Sequence, residues 1–239
     1  MIPQKNKINC ILSDTHCGSD RAIFPPVITL PKLMADDNER TLRYTNNQKK
    51  IYEHLMFCAK HIKSKYKDHQ KIIIHNGDAI EGVHHRTIQL SAPMPEDHVL
   101  IHQQVMETFL HEIGFSVKNG DELHYSSGTE THTGWTESSI VRYFESYGAK
   151  FHDELKLKQY EKTLWFAHQW RNVGNGANES SPINNGLKDM YYNSIKEGWQ
   201  MPDITVGSHY HKAAVGSFSQ NWKTYYGMIT PSFQMKTRF

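Results

Sequence analysis

Apolar positions along the chain fall into short runs and helical stripes, separated by long polar stretches. Residues 7–13 hold Ile8, Cys10, Ile11 and Leu12 in one run, which predicts a buried strand that leads straight into Asp14-Thr15-His16. Residues 17–45 read as a long loop, rich in Pro and Asp. Over 46–66, Ile51, Leu55, Cys58 and Ile62 recur at helical spacing. The run Lys71-Ile72-Ile73-Ile74-His75 predicts a second strand, ending at Asn76-Gly77-Asp78. A loop over 83–97 precedes a helix over about 97–114, with Ile101, Val105, Phe109 and Ile113 on one face.

Further on, 121–126 reads as a strand and 138–147 as a short helix. Strands are expected over 149–158 and 162–168, and a Gly/Asn-rich loop over 172–185. A helix near 186–198, a strand over 203–206 and antiparallel strands within 213–233 complete the chain. Strands alternating with helices, then strands dominating, point to an α/β layered sandwich with mixed sheets. No linker-like stretch divides the 239 residues, so one domain over 1–239 is expected, with the long loops near 17–45 and 83–97 flanking its site.

Composition narrows the function classes. With 27 basic and 25 acidic residues the net charge is only +2, which argues against a strongly basic nucleic-acid coat protein but not against a local basic groove. Cys10, Cys17 and Cys58 form no CxxC pair and no disulfide framework, so a zinc finger is excluded and a reducing, cytoplasmic setting is expected. No run approaches the length of a membrane span, and the N-terminal residues lack a signal-peptide pattern. The 16 histidines are the outlier, a residue suited to metal binding and proton transfer.

Five polar clusters follow predicted strands: Asp14-Thr15-His16, Gly77-Asp78, Gly128-Thr129-Glu130-Thr131-His132, His168, and Gly207-Ser208-His209-Tyr210-His211. In α/β sheets ligands bind beyond the carboxyl ends of strands, so these clusters could converge. Carboxylates and imidazoles without thiolates suit divalent Mn, Fe, Zn or Ni. Two such ions about 3.5–4 Å apart can clamp a phosphoryl transfer, with Asp78 the natural bridging carboxylate.

The order of these clusters resembles the calcineurin-like metallophosphoesterases, whose pattern runs DxH, GD, GNH[DE], a lone H and GHxH. The resemblance spans residues 14 to 211. It implies a four-layer αββα sandwich of two mixed sheets flanked by helices. It also implies a phosphoester hydrolase that uses two divalent ions, manganese first, with iron, zinc, magnesium or nickel as alternatives. By position, one metal would be held by Asp14, His16, Asp78 and His211. The other would be held by Asp78, His168, His209 and a residue of the third motif. That motif departs from the family. Glu130 is the favoured oxygen ligand and His132 the proton donor; alternatively Thr129 takes the usual Asn position. Ser208 is inserted into the fifth motif. The Gly-Thr-x-x-His form resembles a bacteriophage-encoded branch.

The implied reaction is attack of a metal-bridging hydroxide on phosphorus, with a nucleic-acid phosphodiester as the first substrate. Phosphomonoesters, small or cyclic-nucleotide diesters, and a catalytically weak metal-binding scaffold are the alternatives. Arg21, Lys32, Arg40, Arg43 and Arg86 could meet phosphates, and His84 could flank the substrate. Oligomeric state is not legible. His54, His61, His69, His98, His102 and His111 lie on or beside predicted helices, mostly on polar faces, and are assigned no chemistry. Any single Asp-x-His or Gly-Asp is more often a turn than a ligand set; four motifs in order, each after a strand, carry the reading.

Overall fold

Three isoleucines in a row, Ile72 to Ile74, mark the centre of the molecule, because a strand buried on both faces needs no polar alternation. They lie in β4 (Gln70–Asn76), which pairs in parallel with β1 (Lys7–Leu12) on one side and β5 (Glu122–Ser126) on the other. A short β6 (Lys150–His152) extends the same sheet beyond β5, again in parallel. The computed structural model describes residues 6–34, 37–82, 89–130 and 136–235.

The second sheet has the order β10-β11-β9-β8-β7. Its strands are β7 (Leu155–Gln159), β8 (Lys162–Phe166), β9 (Ile204–Gly207), β10 (Ala214–Gln220) and β11 (Lys223–Ile229). β9 runs parallel to both of its neighbours, while the β7–β8 and β10–β11 pairs are antiparallel hairpins. Parallel and antiparallel pairs therefore mix in the second sheet, whereas the pairs of the first are all parallel.

Three apolar clusters define the layers. Ile73, Leu123 and Tyr125 face α1 (Asn46–Lys65) and α2 (Pro95–Ile113), meeting Leu55, Ile101, Val105 and Phe109. Ile72 and Ile74, on the other face of β4, meet Leu155, Leu164, Phe166 and Val206 of the second sheet. Beyond that sheet, Tyr225 and Ile229 pack on Ile183, Leu187 and Tyr191 of the outer helix Ser181–Glu197. The result is helices, sheet, sheet, helix. Local chemistry agrees with these elements. Thr45 and Gln48 form a capping box at the start of α1, and Gly114, with φ of 69°, ends α2 in the left-handed conformation.

Several elements differ from the sequence expectation. The stretch 17–45 is not all loop: β2 (Val27–Leu30) and β3 (Arg40–Arg43) pair as an antiparallel ribbon, tied to α2 by a bidentate Arg40–Asp97 ion pair with both contacts at 2.9 Å. The expected strand over 149–158 is two strands in different sheets, β6 and β7, and the chain changes sheet at Asp153-Glu154. The helix expected near 186–198 starts at Ser181, with Pro182 in its first turn, where a missing N–H costs nothing. The helix expected over 138–147 is a short α3 (Thr136–Ile140) followed by a 3-10 stretch, Val141–Tyr147, so the outer helix is α4. Among the described residues no helix is long and apolar enough to cross a membrane.

Candidate metal centre

The strand ends of both sheets deliver the predicted clusters to one place. Beyond β1 and β4 the backbone pairing continues: Asp14 N–H donates to the Gly77 carbonyl at 3.0 Å, His16 N–H to Asp78 at 3.1 Å and Cys17 N–H to Ala79 at 3.0 Å. The loops 14–17 and 77–79 therefore run zipped together. From the second sheet, Ser208 N–H donates to the His168 carbonyl at 2.9 Å, joining the ends of β8 and β9. Asn76 bridges the sheets, its amide donating to Ser208 Oγ at 2.7 Å while its Oδ1 accepts from Ser126.

Among the described residues, six form two groups of potential ligand atoms, each group mutually within 4.8 Å: Asp14, His16 and His211, and Asp78, His168 and His209. In the first, His16 Nε2 lies 3.0 Å from His211 Nε2, and His211 Nε2 lies 3.3 Å from Asp14 Oδ1. In the second, His168 Nε2 lies 2.9 Å from Asp78 Oδ2. That same Asp78 oxygen is 3.9 Å from His16 Nε2, so it sits between the groups, where a bridging ligand belongs.

Outer partners fix the rings. His168 Nδ1 donates to the Asn76 carbonyl at 2.7 Å, which turns its Nε2 toward Asp78. His16 Nδ1 faces Glu81 Oε2 at 2.9 Å, a carboxylate–histidine arrangement typical of metal ligands. Asp14 Oδ2 accepts from the His209 N–H at 3.2 Å, leaving Oδ1 for the first group.

The backbone is strained where the ligand atoms are. Nine described non-glycine residues have positive φ. Four of them, Tyr160, Glu161, Asn221 and Trp222, are paired turn residues of the two hairpins, where a left-handed pair matches strand twist. The other five are Asp14, His16, Asp78, His209 and His211. Such conformations cost about 1 kcal/mol or more each and persist at sites that need a particular side-chain aim. Glycine makes the close approach possible: a Cβ on Gly77, whose φ is 84°, would lie 2.5 Å from His168 Nδ1 and 2.7 Å from Gly128 Cα.

The third motif enters through Thr129. Its N–H donates to Asp78 Oδ1 at 2.6 Å, and its hydroxyl lies 3.2 Å from both Asp78 Oδ2 and His209 Nδ1. Glu130 is exposed and is in neither ligand group. Its neighbour, not Glu130, thus reaches the centre, because the backbone bond from Thr129 to Asp78 aims that side chain inward and leaves the next one outside. His132, His84 and Arg86 lie outside the described residues.

Electrostatics follow the geometry. Burial pulls the His168 pKa down, but the Asp78 carboxylate, with Asp14 and the Asn76 carbonyl, more than offsets this and raises it to about 9. At His16 burial is likewise outweighed by Glu81, Asp78 and Asp14, and the pKa rises. Burial and His168 lower His209. Glu137, buried beside the centre, accepts hydrogen bonds from the N–H groups of Ala79 (2.9 Å) and Gly128. Burial and the charge on Asp78 raise its pKa to about 7.

The residues fit a pair of divalent cations. The donors are oxygens and imidazole nitrogens, with no thiolate. One buried atom in each group has its nearest polar neighbour inside that same group: Asp14 Oδ1 meets His211 Nε2 at 3.3 Å, and His168 Nε2 meets Asp78 Oδ2 at 2.9 Å.

Two residues at the centre have no motif to announce them. Glu81 and Glu137 are lone acidic residues in the sequence, and only the fold brings them beside His16 and Gly128. His98 and His102, expected on polar helix faces, are fully buried. Hydrogen bonds at one ring nitrogen of each, with the Ala92 carbonyl and the Tyr125 hydroxyl, offset the cost of their burial.

No family model and no curated protein matches the sequence. Solved structures similar to the chain include an archaeal phosphodiesterase, at 9% identity and a TM-score of 0.42, covering 94% of this chain and 83% of that one. The Thermus thermophilus sulfate thiohydrolase SoxB is similar at 9% identity and a TM-score of 0.42, covering 98% of this chain and 53% of that one. A 5'-nucleotidase from Candida albicans is similar at 11% identity and a TM-score of 0.37, covering 96% and 46%. The chain spans about half the length of the last two. Likeness of this degree assigns no activity.

Proposed function

We propose that the chain is a phosphoester hydrolase of the calcineurin-like metallophosphoesterase type that uses two divalent cations. The observation that carries this reading is the pairing of two three-residue groups of potential ligands about a single Asp78 carboxylate, on strained backbone. Asp14, His16, Asp78 and His211 hold one cation. Asp78, His168, His209 and the Thr129 hydroxyl hold the other, in place of Glu130. Manganese is the ion we assign first.

A bound cation pair lowers the pKa of water and neutralises charge developing on a phosphoryl group. The chain's own contribution is preorganisation. Asn76 and Glu81 hold His168 and His16 with Nε2 facing inward, and the His209 N–H fixes Asp14. Glu137 ties the Asp78–Ala79 and Gly128 loops together. His132 is the proton donor to the leaving group on motif position alone.

The substrate we assign is a phosphodiester, nucleic acid first. Among the described residues, the charges that act most strongly on His16, His168 and His209 are carboxylates and other histidines, with no Lys or Arg among them. A dianionic monoester gains from such an extra cation, whereas a singly charged diester does not need it. Arg40 is spent on Asp97, so Arg43, exposed on β3, is the stronger candidate for meeting polymer phosphates. The test is turnover with added Mn²⁺ on bis-p-nitrophenyl phosphate, p-nitrophenyl phosphate and single-stranded DNA. Diester turnover above monoester turnover supports the reading, and DNA cleavage supports its nucleic-acid form. Mn²⁺ binding without turnover of any of the three favours a scaffold instead.

A further inference from the structure

We propose that Thr15 is a positioning residue: its hydroxyl, gripped by two buried histidines and the Ala79 carbonyl, holds Asp14, His16 and Asp78 in the backbone conformations that aim them at the cations. This rests on the metal-centre reading above and deepens it.

Thr15 lies between two ligands and is fully buried, so it cannot itself reach a substrate. Its Oγ1 lies 2.9 Å from the Ala79 carbonyl, 3.0 Å from His75 Nε2 and 3.4 Å from His102 Nδ1, and the Cys17 thiol also bonds to the Thr15 side chain. A hydroxyl has one proton and two lone pairs. The carbonyl can only accept, so the Thr15 proton goes to Ala79, and the lone pairs of Thr15 are open to the N–H groups of the two rings. For His102 that choice closes consistently. Its Nε2 is then an acceptor, matched by the Tyr125 hydroxyl at 3.1 Å. His75 is left with an accepting Nδ1, buried and without a hydrogen bond, and its ring stacks on Tyr125 at a centroid distance of 5.3 Å.

This arrangement of protons keeps Thr15, His75, His102 and Tyr125 all neutral. Burial, the largest influence on each, supports that state: it pushes His102 down to about 3, His75 well below the ordinary histidine value and Tyr125 well above the ordinary tyrosine value. Neither histidine offers the centre a free lone pair on Nε2, so neither joins the ligand set.

The mechanical consequence follows from what Thr15 joins. Asp14 and His16, its chain neighbours, have φ of 49° and 42°, and Asp78, next to Ala79, has φ of 53°. The Ala79 carbonyl that takes the Thr15 proton also takes the Cys17 N–H. One hydroxyl therefore pins the first-motif loop to the second-motif loop at the point where three ligands adopt left-handed backbone. Without it the zipped main-chain bonds remain, but the loop loses the side-chain anchor that resists relaxation to ordinary φ.

The test compares Thr15→Val, which keeps the shape and removes the hydroxyl, with Thr15→Ser, which restores the hydroxyl. Calorimetric titration of the metal-stripped protein with Mn²⁺ alone gives the affinity, and thermal melting of the metal-free protein reports the fold separately. Removing an outer partner of a metal site typically weakens affinity by about 10-fold or more, and that loss is expected for Thr15→Val, with Thr15→Ser within about three-fold of the parent. Should Thr15→Val fail to fold, Tyr125→Phe carries the test, since it deletes the donor that sets the His102 tautomer; weaker Mn²⁺ binding at an unchanged melting temperature is expected. Parental Mn²⁺ affinity in folded Thr15→Val, or in Tyr125→Phe where the first variant does not fold, overturns the inference alone. Absence of Mn²⁺ binding by the parent protein overturns the metal-centre reading, and the inference with it.

Discussion

Asp78 Oδ2 lies 2.9 Å from His168 Nε2, a carboxylate oxygen and a ring nitrogen in contact, both buried. In the metal-free protein this contact is an ion pair, with the proton on His168. In the proposed metal centre the same two atoms would be ligands of a bound cation. Protons and cations therefore compete for one pair of residues.

That competition gives a pH dependence. His168 is raised to about 9, so below that pH a cation must displace its proton. Mn²⁺ binding at pH 7 is expected to release protons, and its affinity to rise as pH climbs toward 9. Calorimetry in two buffers of different ionisation enthalpy measures the release. Zero net release at pH 7 counts against the ion pair.

Stability of the metal-free protein should respond to pH from two sides. The raised His168 contributes stability that is complete below the unfolded value of about 6.5 and is lost as pH rises toward 9. Buried His102, held at about 3, acts in reverse: the unfolded chain takes up a proton below about 6.5 and the native protein does not, so its share is lost as pH falls from 6.5 toward 3. Each histidine alters the slope by up to about 1.4 kcal/mol per pH unit. Denaturant melts across this range should peak near neutrality, with a shallower acid limb in His102→Gln relative to its own maximum.

Thr129 and Glu130 separate cleanly by mutation. Thr129→Val removes a hydroxyl that lies 3.2 Å from both Asp78 and His209 and should weaken the second cation by about 10-fold. Glu130→Gln alters an exposed side chain and should leave cation affinity within about two-fold. Titration of each variant with Mn²⁺ distinguishes them. The reverse ranking would return Glu130 to the ligand set.

Gly77→Ala should be costly out of proportion to its size. The added methyl meets the His168 ring, and φ of 84° disfavours any side chain. A loss of about 2 kcal/mol or more in chemical denaturation is expected, along with weaker cation binding. A melt unchanged from the parent would contradict the packing described around His168.

Much of this centre was readable in the chain because each ligand cluster directly follows a run such as Cys10-Ile11-Leu12 or Ile72-Ile73-Ile74, and strand ends are where ligands gather. The helical stripes from Ile51 to Ile62 and from Ile101 to Ile113 were equally plain. Long-range facts were not. Phe151 and Leu155 look like one strand, yet they belong to different sheets, and nothing local marks the crossing at Asp153-Glu154. Val27 to Leu30 was absorbed into a loop because Pro25, Pro26 and Pro31 surround it. Glu81, Glu137, His75 and His102 carry no motif. Their parts depend on hydrogen bonds to carbonyls and hydroxyls far along the chain, which spacing does not encode.

The most direct test is anomalous diffraction from crystals of the Mn²⁺-loaded protein. Two peaks about 3.5–4 Å apart are expected, one on each side of the Asp78 carboxylate, the first within reach of Asp14, His16 and His211 and the second of His168 and His209. A single peak, or peaks away from Asp78, would contradict the two-cation centre.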